Sequence, residues 1–256
     1  MKLVVSGCSF SDYTEVKNVW GKYTADDLGI DYLHLAGGIG GNPRSLRIIT
    51  QKILKGEIEP NDIVVVQAAE PIRTELPSPT MELTEQGRAY RHRVEVVDTY
   101  ENQILHYDYL HDNTSIVTRW KMDSSKWQGT DADKRFHEEY QRNVSDAFGQ
   151  EIAINSLYQL YALCTIYGIN FVVLWGPLCD EKYFKKYWRE NGISIEFPYE
   201  LDFFKVWEPG KNYYDEVNHI YRLSPTDVTH LSELGHETFG KSVASSLKLF
   251  FPQVKK

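Results

Sequence analysis

Three short, uninterrupted apolar runs, each bounded by small or turn-forming residues, restrict the folds open to this chain. Leu3-Val4-Val5 is closed by Ser6-Gly7, Ile63 to Val66 follows a Pro60-Asn61-Asp62 turn, and Phe171 to Trp175 is closed by Gly176-Pro177. A strand that is apolar at successive positions has no face to give to water, so such runs belong in a parallel sheet covered on both sides. A further candidate strand, Tyr32 to Ala36, runs into the glycine stretch Gly37-Gly38-Ile39-Gly40-Gly41-Asn42.

Helical patterns separate these runs. Pro43 suits the first turn of a helix that carries Leu46, Ile49, Ile53 and Leu54 at helical spacing. A long helix is expected from about Val144 to Tyr167, with Ile152, Leu157, Leu160, Tyr161 and Cys164 or Thr165 as its stripe and Gly168 as its stop. The last helix should begin near Ser232 as N-cap and turn Leu234, Phe239, Val243 and Leu247 inward. Strands alternating with helices imply a three-layer α/β/α domain, and 256 residues suit a single such unit, residues 1–256.

The stretch from about 77 to 142 breaks this rhythm with turns, charges and short alternating runs such as Val94-Glu95-Val96 and Ile104-Leu105-His106-Tyr107. A structureless loop of that length does not suit a compact domain, so an insertion or cap with its own β-ribbon or small helices is expected after the third strand. His106-Tyr107-Asp108 and His111-Asp112 carry metal-ligand types but have no second cluster to complete a site, so a solvated face is the expectation and no metal is assigned.

Charge and cysteine content exclude several classes of function. A net charge of −8 with scattered lysines and arginines disfavours a nucleic-acid interface, which needs a concentrated basic face. Three cysteines are too few for a disulfide framework and fit a reducing compartment. The first apolar run is far shorter than a signal-peptide core and no membrane-length apolar stretch occurs, so a cytoplasmic protein with no membrane partner is expected.

In open α/β sheets the site lies outside the carboxyl ends of the strands, where strand order reverses. Ser9 follows the first strand, the glycine stretch follows the second, and Gln67-Ala68-Ala69-Glu70 follows the third. Near the far end of the chain, Asp227-Val228-Thr229-His230 precedes Leu231-Ser232-Glu233-Leu234-Gly235-His236. A serine hydroxyl is a weak nucleophile until an imidazole removes its proton, and a carboxylate three residues from a histidine can orient that ring. His236, inside the expected helix, is read as a packing or hydrogen-bonding residue. The glycine stretch lacks the Lys-Ser/Thr ending of a P-loop and the Gly-x-Gly-x-x-Gly pattern of dinucleotide sites, so no nucleotide cofactor is assigned.

Taken together, these blocks resemble those of the SGNH (GDSL-type) hydrolases. Gly7-Cys8-Ser9-Phe10-Ser11 is similar to the first block, with cysteine replacing the usual aspartate. Gly40-Gly41-Asn42 is similar to the second, and Asp-x-x-His-Leu-Ser-x-x-Gly-His-x-x-Phe to the last. The resemblance implies a flavodoxin-like domain with a parallel sheet of about five strands and no cofactor. It implies Ser9 as nucleophile, His230 as general base and Asp227 as its orienting acid, acting on a small acyl ester, possibly on a carbohydrate. An acyltransferase using the same triad, or a non-catalytic binding or assembly protein retaining the fold, are the alternatives. The oxyanion hole would draw on the Ser9 N–H and on Gly38 or Gly40. The family's third-block asparagine falls at Ala69 here, so Asn42, Gln67 and Arg73 are the candidate replacements, Asn42 being preferred because it closes the glycine loop. Gln67 and Arg73, with Trp175 and Tyr13 near strand ends, are also candidates to line a substrate cleft.

Overall fold

The computed structural model describes residues 1–8, 10–11, 16–37, 41–69, 71, 74–77, 104–107, 114–117, 139, 145–176, 181–206 and 230–254. Its elements run β1 (Lys2–Ser6), α1 (Trp20–Leu28), β2 (Asp31–His34), α2 (Asn42–Leu54), β3 (Ile63–Gln67), β4 (Thr74–Pro77), β5 (Ile104–Tyr107), β6 (Thr114–Val117), α3 (Asp146–Ile166), β7 (Asn170–Trp175), α4 (Glu181–Glu190), β8 (Glu200–Asp202), the single turn α5 (Phe203–Val206) and α6 (Glu233–Phe250).

Five parallel strands form one sheet in the flavodoxin-like order β2-β1-β3-β7-β8. Leu3 pairs with Ile63 and Ile63 with Asn170, so the three inner strands begin in register. Successive side chains of a strand point to opposite faces, and the apolar runs divide accordingly. Leu3, Val5, Ile63, Val65, Val172 and Leu174 pack with Trp20, Leu28, Phe239, Val243 and Leu247 from α1 and α6. Val4, Val64, Val66, Phe171, Val173 and Trp175 pack with Ile49, Ile53, Leu157, Leu160 and Phe184 from α2, α3 and α4.

Local chemistry sets the helix ends. Ser145 Oγ accepts from Phe148 N–H at 3.2 Å to start α3, and Ser232 Oγ accepts from Gly235 N–H at 3.1 Å to start α6. Glu233 in the first turn of α6 and Lys248 in the last complement its dipole. The two expected stripes need one correction each. Leu234 and Leu54 are exposed, because the buried face of α6 runs through Gly235, His236, Phe239 and Val243, and that of α2 through Ser45, Ile48, Ile49 and Ile53.

The insertion follows the third strand. Within it, the described strands form a separate antiparallel sheet in the order β4-β6-β5, with β4 running beside α2. The expected Val94-Glu95-Val96 run and the His111-Asp112 pair lie outside the described residues.

Candidate functional site

The chain leaves β1 toward β2 on one side and crosses to β3 on the other, so a crevice opens between the carboxyl ends of β1 and β3. Gly7 begins the turn there with φ +155°, and a Cβ on it would lie 2.8 Å from Gln67 Cβ, so only glycine allows β1 and β3 to end this close. Ser11 N–H donates to Cys8 O at 2.9 Å, tying together the residues on either side of Ser9 and Phe10. Cys8, Phe10 and Ala69 then form a small buried apolar cluster at the end of the sheet.

His230 reaches this cluster from the other end of the chain. It is 1% exposed, and its ring stacks on Phe10 with centroids 5.3 Å apart and planes inclined by 25°. The fold thus brings the expected base against the residue that follows the expected nucleophile. Ser9, Gly38, Gly40, Arg73, Tyr13 and Asp227 themselves lie outside the described residues.

The loop after β2 is fastened from below and from the side. Gly37 N–H donates to Gly7 O at 3.2 Å, and the buried Arg44 donates through Nη1 to Leu35 O at 2.9 Å. Asn42 is fully buried, its Nδ2 donating to Ala69 O and its Oδ1 accepting from Ala69 N–H, both at 3.0 Å. Its amide therefore clamps the second-strand loop to the third-strand loop, main chain to side chain.

Gln67 and Trp175 are also committed inside the protein. Gln67 is 1% exposed; Oε1 accepts from Ser11 Oγ at 2.5 Å and Nε2 donates to Gly176 O at 3.0 Å. Trp175 ends the inner strand β7 on the side facing α4, where it packs on Phe184 and Phe197 and donates from Nε1 to Glu200 Oε2 at 2.8 Å. Glu200, itself only partly buried, also receives the buried Lys185 Nζ at 2.8 Å, so an ion pair flanks this indole.

Behind His230, the first turn of α6 supplies the electrostatics. His236 is fully buried and accepts the Trp20 main-chain N–H at Nδ1, 3.1 Å away, satisfying a donor at the start of α1 whose N-cap residue Val19 has no side-chain acceptor to offer. Desolvation lowers the pKa of His236 to about 4, the Glu233 carboxylate opposing that shift and His230 adding to it. Burial works to raise the carboxyl of Glu233, but hydrogen bonds from Tyr23 O–H and from the Lys17 and Asn18 N–H groups outweigh it and hold its pKa below the ordinary value. Tyr23 responds in the opposite sense. Burial and the hydrogen bond to Glu233 push its hydroxyl up to about 12.

The roles of Phe10, Ser11 and Trp20 had no separate signal in the sequence. Phe10 and Ser11 sit within the block that names Ser9, but their partners, His230 and Gln67, are distant in the chain. Among the described residues, no helix is long and apolar enough to cross a membrane.

No family model matches the chain, and no curated protein matches it. Solved structures do match over nearly its whole length, at low identity. A G-D-S-L family protein from Desulfitobacterium hafniense is 12% identical with a TM-score of 0.49, covering 96% of this chain and 98% of that one. The psychrotrophic esterase EstA from Pseudoalteromonas is 9% identical with a TM-score of 0.49, covering 98% of both chains. A member of the lipolytic G-D-S-L family from Veillonella parvula is 8% identical, again with a TM-score of 0.49, covering 96% of this chain and 97% of that one.

Proposed function

We propose that this protein is a serine ester hydrolase of the SGNH type, acting on a small acyl ester of a carbohydrate or similar polar alcohol. The observation that carries the reading is the stacking of His230 on Phe10, which brings the expected base against the residue next to the expected nucleophile in the sequence. Ser9 Oγ attacks the ester carbonyl while His230 takes its proton, and His230 returns that proton to the departing alcohol. Water then repeats the sequence on the acyl-enzyme and releases the acid. Asp227 holds the imidazole in the required tautomer and stabilises its cation. Main-chain donors at Ser9 and at Gly38 or Gly40 receive the oxyanion.

The third loop is the weak side of such a site. Ala69 brings no side-chain donor, and both of its main-chain polar groups are bonded to Asn42. Loss of one oxyanion donor costs about 10²–10³ in turnover, so slow catalysis is expected. This same feature favours the second reading, a binding protein that keeps the fold.

Turnover of p-nitrophenyl acetate and butyrate by wild type and Ser9→Ala tests the assignment. Wild-type hydrolysis that disappears in the variant is the expected result, whereas equal rates would remove Ser9 from the chemistry. Labelling of Ser9 by an organophosphonate separates the hydrolase from the binding protein, since only an activated hydroxyl reacts.

A further inference from the structure

A continuous chain of buried hydrogen bonds runs past the turn closed by Cys8 and Ser11. Trp20 Nε1–H donates to Ser11 Oγ at 3.2 Å, Ser11 O–H donates to Gln67 Oε1 at 2.5 Å, and Gln67 Nε2–H donates to Gly176 O at 3.0 Å. All three side chains are at most 1% exposed. The indole can only donate and the Gln67 carbonyl can only accept, so the orientation of the Ser11 hydroxyl between them is fixed by its neighbours.

The chain also reaches the helix behind His230. The same Trp20 gives its main-chain N–H to His236 Nδ1, so one residue is bonded both to the first turn and to α6. Ser11 N–H closes on Cys8 O, and Phe10, between Ser9 and Ser11, bears on the His230 ring. A shift of Ser11 would therefore move the residues flanking Ser9 relative to His230.

We propose that Ser11 is a positioning residue: its hydroxyl, gripped by Trp20 and Gln67, fixes the turn that presents Ser9 to His230. The inference rests on the serine hydrolase reading above. Ser11 has no contact with an ester in that mechanism, and its effect passes through the placement of Ser9 alone. Misplacing a reacting group by about 1 Å can cost about 10²-fold in rate.

Four proteins, wild type, Ser11→Ala, Ser11→Thr and Gln67→Met, are compared for kcat, KM, phosphonate labelling rate and Tm, with rates measured well below every transition. Ser11→Ala should lose about 10²-fold in kcat and in labelling rate while KM stays within about twofold. Ser11→Thr, which keeps the hydroxyl, should recover most of the rate. Gln67→Met removes the acceptor at similar volume and should show the same loss of kcat, so the test does not depend on Ser11→Ala folding. A folded Ser11→Ala or Gln67→Met with a lowered Tm but wild-type kcat would overturn the inference and leave the hydrolase reading intact. Wild type that neither turns over esters nor takes the phosphonate would refute the hydrolase reading itself, and the inference with it.

Discussion

His236 links the fold's stability to pH in a way that one substitution can expose. The ring is neutral in the folded protein because burial lowers its pKa from 6.5 to about 4, with Glu233 and His230 as the charged or titratable groups acting on it. An unfolded chain takes up this proton near pH 6.5. Between the two values the unfolded state binds more protons, so the contribution is fully present above pH 6.5 and is lost as pH falls toward 4. The full span, about 2.5 pH units at 1.36 kcal/mol each, amounts to about 3 kcal/mol. By pH 5 the loss is RT ln[(1 + 10^1.5)/(1 + 10^−1)], about 2 kcal/mol.

His236→Asn keeps an acceptor near the Nδ1 position for Trp20 N–H but cannot titrate. Thermal unfolding of both proteins from pH 8 to pH 4.5 supplies the comparison, and other ionisations largely cancel in the difference. The variant starts lower at pH 8, since it leaves part of the imidazole's volume unfilled. The gap should then narrow on acidification by about 4–8 °C by pH 5, taking roughly 2–4 °C per kcal/mol for a domain of this size. Parallel curves over the whole range would show that His236 does not carry this proton linkage.

Two further substitutions test the frame of the site. Gly240→Ala places a methyl group 2.6 Å from Trp20 O and 2.7 Å from Tyr23 Cβ, where α6 crosses α1. Overpacking should destabilise by about 1–3 kcal/mol despite alanine's better helix propensity, and denaturant unfolding at constant m-value would measure it. Asn42→Ala strands the buried N–H and C=O of Ala69, a cost of about 2–4 kcal/mol by the same measurement. A loss below about 1 kcal/mol would mean that water or another group replaces the clamp.

The central strands and the long helices were legible because burial writes itself into local pattern. Val64 to Val66 and Phe171 to Leu174 are apolar at every position because each strand faces helices on both sides. Ser232 was legible as an N-cap because capping is a contact between near neighbours in sequence. The edge strand β8 and helix α1 were not read from the sequence. Glu200–Asp202 carries two acids and lies at the sheet edge beside β7, and α1 packs its apolar face on α6, β1 and β2, which are distant from it or pattern-free in the sequence.

The sequence by itself determined the class of fold, and it supplied a serine, a histidine and an aspartate in an order that suggests acyl transfer. It could not assign partners to polar side chains, since hydrogen bonds over long sequence distances leave no periodic trace. Asn42 and Gln67 illustrate this. As isolated amides they were candidates to face a substrate, but tertiary packing buries both and commits each to main chain or a neighbouring hydroxyl. Trp175 is a similar case, drawn into the core by the direction its strand position gives it and by the carboxylate of Glu200. Only the folded chain decided that Phe10 meets His230 and that Trp20 holds both Ser11 and His236, because the first and last of these contacts join the two ends of the chain and the other joins α1 to the turn after β1.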